Sequence, residues 1–475
     1  MYYKGINGCR KEKTMKKVMQ NTIKYIAVFI VTLFILLVLL VLAAKIPRNM
    51  IAQNIREYNP NVFGILRDVE NIDKIYTYRH KYADEVLLNI IWCLDSNEPL
   101  KSVLEAKYYS PEVAELMKAF IKNYERIELS ERIIPYNFAD FVKEEHEGNV
   151  QYLRYWHGSI SILRPLLVLF NIQEIYIINA VVLLILTIVL LALLLKQKLK
   201  EVIIAGTIGI IMCQPWIVPF CFEYFWTFLI MLISSIIILI LEKKQKKPDI
   251  LFIITGMVTC YLDFLSTELI TVLIPLILVL VVRYKNESIT KFSQGIKYTI
   301  IYLAEWGLAY IGMWFAKWII ASIVLGINPF EDVMDKAMIR INGEKNWSAL
   351  IIPLNLRALF PLNSQTGITI MKIISIILII IEIILVRKKE FKKMWISIIL
   401  LFIAIIPYLR YLILLNHSYV HLSFTYRMQL ATIISVILAM IYSWDKNIIK
   451  NIIEKVSRSR TVKDETRQIK TMVKK

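Results

Sequence analysis

An adjacent pair of acids, Asp84 and Glu85, stands at the head of an apolar stretch that continues to Leu94. A carboxylate that takes a proton from a hydroxyl group must lie within hydrogen-bond reach of it, and partial burial tunes its pKa. The pair is therefore the first candidate for a general base. The alternative role is structural: Asp84 caps the helix that follows, and Glu85 interacts favourably with the dipole of that helix.

A dense polar and aromatic run follows further along the chain, made of Arg154, Tyr155, Trp156 and His157, with Arg164 shortly after it. Arg154 and His157, at the two ends of this run, can bind a phosphate or orient a substrate. Its two aromatic rings can stack on a sugar. Aromatic residues beside basic ones are also common anchors at a membrane boundary, so both interpretations stay open.

Two single charges stand out in apolar surroundings. Asp263 ends one apolar stretch, where it either caps a helix or lines the same cavity as the acid pair. Lys317 lies inside the apolar stretch 298–325. Charges within a membrane are costly and usually functional, so Lys317 is a candidate for phosphate binding. The alternative is a lysine that snorkels towards the interface.

The last turn before the final apolar stretch carries a second basic group, formed by His417, His421 and Arg427, with Arg410 before it. These side chains can bind an anionic substrate. Two histidines at i and i+4 lack a third protein ligand, so the sequence predicts no metal site. It also does not indicate a cofactor.

The elements that position these residues are membrane spans. The chain has 475 residues, 57% of them hydrophobic, with a mean hydropathy of +0.56, and its apolar residues come in blocks of about 20. The net charge is +19, but the basic residues cluster at the ends of apolar blocks, where they fix topology and contact lipid headgroups. The sequence has no nucleic-acid or zinc motif, so nucleic acid is not an expected partner, whereas the lipid bilayer is.

The hydropathy pattern predicts an all-α membrane bundle of about 10 spans. The predicted spans are 24–44, 175–195, 201–217, 222–241, 250–264, 266–282, 298–325, 366–386, 394–413 and 428–443. With the N-terminus in the cytoplasm, the basic clusters at 196–200, 243–247, 283–297, 387–393 and 446–475 all face the cytoplasm. Both chain termini are then cytoplasmic.

This topology divides the chain into a basic cytoplasmic N-terminus (1–23), a first span (24–44), a long extracytoplasmic loop (45–159), a transmembrane bundle (160–443) and a basic cytoplasmic tail (444–475). The loop is predicted to be helical, because Ser110, Pro111 and Glu112 form a helix start and apolar residues then recur every three or four positions. A long loop of this kind is usually functional.

The layout resembles the GT-C glycosyltransferase superfamily, in which a bundle of spans carries a large helical first outer loop. The pair Asp84-Glu85 is similar to the Asp-Glu pair of the protein O-mannosyltransferase branch. The run 155–158 with Arg164 resembles bacterial membrane proteins of cell-surface polysaccharide synthesis. The resemblance covers about residues 24–443, mostly as topology. In one departure, the acid pair comes about 40 residues after the first span, later than the superfamily usually places its acid.

The resemblance implies a glycosyltransferase in a bacterial plasma membrane. It would move a sugar from a polyprenyl-phosphate donor to a cell-surface glycan or lipid acceptor on the outer face. Asp84, Glu85 or Asp263 would be the catalytic base, and basic residues near the outer face would hold the phosphate. Inversion at the anomeric carbon is expected from the superfamily.

Two other functions fit the same topology. A non-enzymatic flippase or transporter of lipid-linked glycans would carry charges along a path through several spans, whereas the interiors of the predicted spans are nearly uncharged apart from Glu305, Lys317 and Glu382. Many transporters are also built from repeated halves, and no internal repeat is visible. A polysaccharide polymerase or ligase is the other alternative, although such proteins usually place their large outer loop late in the chain.

Overall fold

The structure is a computed structural model, and it describes residues 2–58, 82–110, 142, 146–263, 265–342, 347–359, 364–386, 394–445, 447–448, 450 and 454. Within these ranges the chain is helical and forms no strands; two isolated β-bridges join Tyr108 to Val150 and Val386 to Trp444. The predicted all-α class is confirmed. The helix predicted to start at Ser110 falls mostly on residues outside the described ranges.

The α-helices of these ranges are numbered in chain order. They are α1 (Tyr2–Ala44), α2 (Arg48–Arg56), α3 (Tyr82–Cys93), α4 (Pro99–Glu105), α5 (Ile160–Leu166), α6 (Ile172–Lys196), α7 (Lys200–Met212), α8 (Phe222–Lys243), α9 (Asp249–Leu262), α10 (Ile270–Lys285), α11 (Phe292–Leu325), α12 (Pro329–Ile341), α13 (Trp347–Ala358), α14 (Ser364–Leu385), α15 (Trp395–Ile413), α16 (Leu415–Val420), α17 (Leu422–Thr425) and α18 (Gln429–Ser443). Two short 3₁₀ segments, Pro215–Phe220 and Tyr426–Met428, precede α8 and α18.

Six helical segments of the described chain are long and apolar enough to cross a membrane, so the chain is a multi-pass membrane protein. They are Met19–Ala44, Ile172–Lys196, Phe222–Lys243, Phe292–Leu325, Trp395–Ile413 and Leu422–Ser443. The first two are 11% and 17% buried in their most apolar part, whereas the last is 72% buried. Lipid solvates apolar side chains, so the first two segments lie at the periphery of the bundle and the last lies in its interior.

Three of the other predicted spans are short helices: α7, α9 and α10 have 13, 14 and 16 residues. At about 1.5 Å per residue they are roughly 20 to 24 Å long, less than the roughly 30 Å of a bilayer core. The α10 helix is nonetheless central, because every residue from Ile270 to Val282 is buried. It packs against α8, α9, α11, α15 and α18.

One end of the bundle collects the basic residues that follow or precede the spans. At this end Lys285 donates to Glu201 at 2.7 Å, and Arg283 forms a partly buried ion pair with Glu242 at 2.7 Å. The Tyr442 hydroxyl also donates to Glu201, which joins the end of α18 to the start of α7. We call this the basic end; it brings together the helix ends beside the clusters 196–200, 243–247 and 283–297, whereas 387–393 and most of 446–475 lie outside the described residues.

The opposite end, which we call the loop end, carries the long first loop. The α1 helix runs from the basic end to the loop end: the Tyr25 hydroxyl donates to Asp249 at the start of α9, and the carbonyl of Leu36 accepts from Tyr261 near the end of α9. The described part of the first loop contributes α2, α3 and α4, and it returns to the bundle through residues 146–159. The candidate site residues lie at the loop end.

Candidate functional site

A cavity of about 220 Å³ lies at the loop end between the first loop, α8, α12 and the turn before α18. Its polar lining contains two arginines, three histidines and one glutamate. The lining residues are Ala83, Val86, Leu87, Ile90, Tyr108, Tyr152, Arg154, Tyr155, His157, Glu223, Arg340, His417, His421 and Phe424. A molecule of liquid water occupies about 30 Å³, so the volume equals roughly seven waters and suits a small polar group. The cavity brings together both polar groups that the sequence indicates, from the first loop and from the last turn.

The α3 helix contributes one wall of the cavity through an apolar face. Ala83, Val86, Leu87 and Ile90 follow the 3–4 residue spacing of a helix, so they lie on the same side of α3. Asp84, the next residue after Ala83, is about 100° away around the helix and is not among the described residues that line the cavity. The acid pair thus heads a helix whose other side faces the cavity.

Asp84 is fully buried and serves as a hydrogen-bond acceptor between three elements. It accepts from the hydroxyl of Tyr176 on α6 at 2.6 Å and from the backbone N–H of Phe222, the first residue of α8, at 2.9 Å. The thiol of Cys221 is 3.6 Å from the same carboxylate. A carboxylate at a helix N-terminus is favoured by the helix dipole. Asp84 therefore ties α3 to α6 and α8, and half-buried Glu85 beside it also does not line the cavity.

The run 152–157 supplies the aromatic and basic wall. Tyr155 and His157 are buried and line the cavity, and the rings of Tyr152, Tyr155 and His157 contact one another edge to face or tilted. His157 adopts φ of +52°, in the left-handed region that residues other than glycine rarely occupy. Trp156 points away from the cavity, and its indole N–H donates to the carbonyl of Met313 at 2.8 Å. The run thus alternates between cavity lining and packing on α11.

Two arginines give the cavity its positive charge. Arg154 lies over the ring of Tyr152 and is 3.5 Å from the carboxylate of Asp332 on α12. The Nε of Arg154 has no hydrogen-bond partner among the described residues. Arg340, also on α12, lies 5.3 Å from the centre of the Tyr155 ring. Guanidinium groups bind phosphate and carboxylate through several N–H groups at once, so this wall fits an anionic ligand.

Glu223 supplies the carboxylate that lines the cavity. It lies in the first turn of α8, where a negative charge is favoured by the helix dipole, and it is buried, with a relative exposure of 7%. Its Oε2 atom has no hydrogen-bond partner among the described residues. A buried acceptor without a partner is costly, and such groups often mark catalytic or ligand-binding positions. The sequence prediction missed Glu223, although a single acid at the head of an aromatic, apolar span was a visible signal.

The turn between α15 and α18 closes the cavity with His417, His421 and Phe424. Nδ1 of His417 lies 3.3 Å from a guanidinium nitrogen of Arg410. Arg410 in turn forms a buried ion pair with Glu268 at 2.8 Å. This network holds the histidine turn against the start of α10.

The three histidines are held neutral by their surroundings. Burial, followed by the charge of Lys317, lowers the pKa of His157 to about 3. Burial, followed by Arg340 and Arg410, lowers the pKa of His421 to about 4. Burial and then Arg410 place the pKa of His417 well below its usual range. At neutral pH these imidazoles therefore act as uncharged hydrogen-bonding groups, and the positive charge of the lining comes from the arginines.

Asp263 lies in the turn between α9 and α10 and outside the cavity lining. It is buried, and it accepts hydrogen bonds from the backbone N–H of Ser266 at 3.0 Å and from the Ser266 hydroxyl. Burial, followed by the nearby Glu268 carboxylate, raises the pKa of Asp263. Its described contacts are those of a residue that fixes a tight turn.

Three of the predicted phosphate-binding cations are engaged by backbone carbonyls. Lys317 is fully buried and donates to the carbonyls of Val103 and Leu104 at the end of α4, at 3.2 and 2.8 Å, with its ammonium 5.8 Å from the Trp156 ring. A cation at a helix C-terminus satisfies carbonyls that lack intrahelical partners. Lys317 therefore attaches the first loop to α11.

Arg164 and Arg427 do the same at other joints of the bundle. Arg164 is fully buried and donates to the carbonyls of Ile46, after α1, and Ile91, on α3. Arg427 donates to the carbonyl of Cys213 at 3.1 Å, at the end of α7, and lies over the ring of Tyr224. Among the described residues neither arginine lines the cavity.

A second, larger cavity of about 830 Å³ lies between α2, α4 and residues 147–148. Its lining mixes acids and bases, and some of them pair directly, as Lys101 does with Glu98 and Lys107 with Glu105. It holds no buried, unpartnered carboxylate of the kind seen at Glu223 among its described residues. The smaller cavity is therefore the better candidate for chemistry.

No group of three or more His, Cys, Asp or Glu side chains in the described part of the chain is arranged to hold a metal ion. No protein-family model, curated protein or solved structure matches the chain.

Proposed function

We propose that the chain is a membrane transferase that moves a sugar from a polyprenyl-phosphate donor to a glycan or lipid acceptor at the loop end of the bundle. The observation that carries the proposal is the shared cavity of Glu223, Arg154 and Arg340. One carboxylate suits proton transfer, and two guanidinium groups suit a phosphate. The surrounding bundle suits a donor whose lipid tail stays in the bilayer.

The proposed reaction breaks the bond between the anomeric carbon and the phosphate oxygen of the donor. An acceptor hydroxyl oxygen forms the new bond to the same carbon, and its proton goes to the Glu223 carboxylate. Arg154 and Arg340 stabilise the negative charge that develops on the departing lipid phosphate. The rings of Tyr152, Tyr155 and Phe424 offer apolar surfaces for a sugar, and the neutral histidines offer hydrogen bonds to its hydroxyls.

Glu223 takes the role of base in this proposal in place of Asp84, Glu85 or Asp263. The reason is geometric: a base must reach the proton that it removes, and of these four acids only Glu223 is among the described residues that line the cavity. The Asp84 carboxylate already accepts hydrogen bonds from Tyr176 and Phe222. Asp84 then acts on the site indirectly, by holding the first turn of α8.

The proposed topology has about ten passes, with the basic end in the cytoplasm and the loop end on the outer face of a bacterial plasma membrane. The ion pairs that gather Lys285, Arg283 and their acids at the basic end support it, because basic residues accumulate on the cytoplasmic side of spans. The short helices α7, α9 and α10 would cross a locally thinned bilayer or lie within the protein interior.

The test uses the purified chain in proteoliposomes, with a panel of radiolabelled polyprenyl-phosphate hexoses and a cell-envelope glycan extract as acceptor. We expect sugar-free polyprenyl phosphate to be released. Glu223→Gln should lower turnover by about 10²–10⁴-fold while donor binding survives, since a general base contributes about that factor. Glu98→Gln is the control, because that acid is exposed at the surface of the first loop.

Several results would overturn the proposal. If Glu223→Gln turns over the donor as fast as the wild type does, Glu223 is not the catalytic base. If the chain neither binds nor turns over any donor in the panel, polyprenyl-phosphate sugars are not its donors. Movement of labelled lipid across the bilayer without sugar transfer would make the chain a flippase instead.

A further inference from the structure

The α12 helix lies directly at the end of a membrane-spanning helix. The α11 helix ends at Leu325, Gly326 follows with φ of +66°, and α12 begins at Pro329. A left-handed glycine is a common helix terminator, and it turns the chain sharply at this point. With only 326–328 between the two helices, α12 is held at the boundary between the bilayer and water.

The exposed surface of α12 carries an apolar flank with an acidic pair beside it, and the exposed Ile339 lies on the far side of that pair. Met334, Met338 and Ile341 are exposed and recur at i, i+4 and i+7, which places them on one side of the helix. Glu331 and Asp335 are exposed at i and i+4 on the neighbouring side. The apolar flank lets this short helix lie in the membrane surface with its apolar side down.

Apolar exposure also continues on α11 just before the turn. Ile319 and Ile323 are 49% and 77% exposed in the last two turns of that helix. Since α11 is a candidate span, these side chains face lipid. The apolar flank of α12 therefore adjoins a surface that is already in the bilayer, and lipid chains are the occupant that this position supplies.

The remaining side of α12 faces the candidate site. Arg340 lines the cavity and lies over Tyr155, and Asp332 forms the 3.5 Å ion pair with Arg154. Asp332 is 44% exposed in its side chain, so this pair is weak and open to replacement by a stronger anion. One helix thus presents an apolar flank to lipid and a cationic residue to the cavity.

We infer that α12 binds the lipid part of the phosphate substrate: the first isoprenoid units lie along Met334, Met338 and Ile341, and the phosphate contacts Arg340 and Arg154. This inference rests on the proposed function for the choice of a polyprenyl lipid. The phosphate replaces Asp332 as the partner of Arg154. The α12 helix is then the wall across which the head of the substrate reaches the cavity while its tail stays in the membrane.

The experiment is photo-crosslinking with radiolabelled polyprenyl phosphate, without any sugar, on the full chain in nanodiscs. A benzophenone amino acid replaces Met338 in one variant and Asp335 in the other, so that one probe lies on the apolar flank of α12 and the other in the acidic pair beside it. We expect at least fivefold more labelling at 338 than at 335. An excess of unlabelled polyprenyl phosphate should suppress the labelling, whereas the same excess of phosphatidylglycerol should not.

Equal labelling at 338 and 335 would overturn the inference, because the flanks would not differ. Labelling at 338 that phosphatidylglycerol suppresses equally well would also overturn it, since α12 would then simply contact bulk lipid. Arg340→Gln in the 338 probe variant should weaken the competition by polyprenyl phosphate severalfold; an unchanged competition curve would contradict the phosphate contact.

The readout is separate from sugar transfer. Glu223→Gln should leave the labelling at 338 intact, because that residue acts on the acceptor proton. Specific labelling without sugar transfer by the wild-type chain would therefore count against the proposed function alone. Sugar transfer without specific labelling would count against the role of α12 alone.

Discussion

The carboxylate of Asp84 accepts a hydrogen bond from the backbone N–H of Phe222 at 2.9 Å, although the two residues are 138 positions apart in the chain. The contact places a buried acid of the first loop at the N-terminus of α8, one residue before Glu223. It therefore attaches the first loop to the first turn of α8, the turn that carries Glu223. Asp84, the first member of the acid pair that the sequence emphasises, thus supports the site from outside the cavity.

Asp84→Ala should lower the stability of the fold. The change leaves the Tyr176 hydroxyl and the Phe222 N–H buried without their acceptor, and such a loss costs about 3 kcal/mol. Thermal unfolding in detergent should show a clearly lower Tm, and Tyr176→Phe should reproduce a smaller part of the change. Glu85→Ala is the neighbouring control and should shift Tm much less. An unchanged Tm together with lost sugar transfer would instead return Asp84 to the role of catalytic base.

The fold class follows from the sequence because hydropathy depends on composition within one segment. The apolar blocks predict helices, and the basic clusters predict which helix ends lie together; the contacts of Glu201 and Glu242 with Lys285 and Arg283 agree with that grouping. What the sequence does not contain is the partner of each polar side chain. By residue type alone, Lys317 is a candidate for phosphate binding. In the structure it donates to the carbonyls of Val103 and Leu104, and because these lie more than 200 positions away, the sequence does not reveal them as its partners.

Five of the fourteen residues that line the cavity can be anticipated from residue type. Arg154, Tyr155, His157, His417 and His421 are candidates by sequence, and they line one cavity. In both segments, the close spacing of polar and aromatic residues is the feature of the sequence that indicates a site. Arg164 and Arg427 have the same residue type but bind backbone carbonyls, since an arginine at a helix joint and an arginine in a site look alike in sequence. Two lining residues that the sequence prediction missed, Glu223 and Arg340, reach the cavity from helices whose packing only the structure gives.

The buried histidines predict a loss of stability in mild acid. The folded-state pKa values of His157, about 3, and His421, about 4, lie below the value near 6.5 of an unfolded chain. As pH falls below 6.5, the unfolded chain therefore takes up protons that the folded chain refuses. The stabilisation is complete above pH 6.5 and is lost as pH falls towards the folded-state values, by about 1.4 kcal/mol per pH unit for each histidine.

Chemical unfolding of the wild type and of His421→Asn at pH 7.5 and 5.0 measures this effect. The wild type should lose about 2 kcal/mol more than the variant between the two pH values, because only the wild type carries the His421 titration. A difference in stability between the two proteins that does not change with pH would contradict the neutral, buried state of His421.

Gly158→Ala should destabilise the fold and disturb the cavity, because Gly158 is in close contact with α9. Its N–H donates to the carbonyl of Tyr261 at 2.9 Å, and a Cβ at this position would lie 2.4 Å from that carbonyl oxygen and from the Tyr261 ring. Backbone cannot move away cheaply, so the run 154–157 must shift, and His157 with it. We expect a loss of about 2 kcal/mol or more together with reduced donor binding.

Gly206→Ala on α7 is the matched control, since its Cβ would meet nothing within 4 Å, and alanine should stabilise that helix by about 0.5–1 kcal/mol. Thermal unfolding and donor binding of both variants decide the matter: equal Tm values for the two would show that the 158–261 contact does not hold the cavity wall in place.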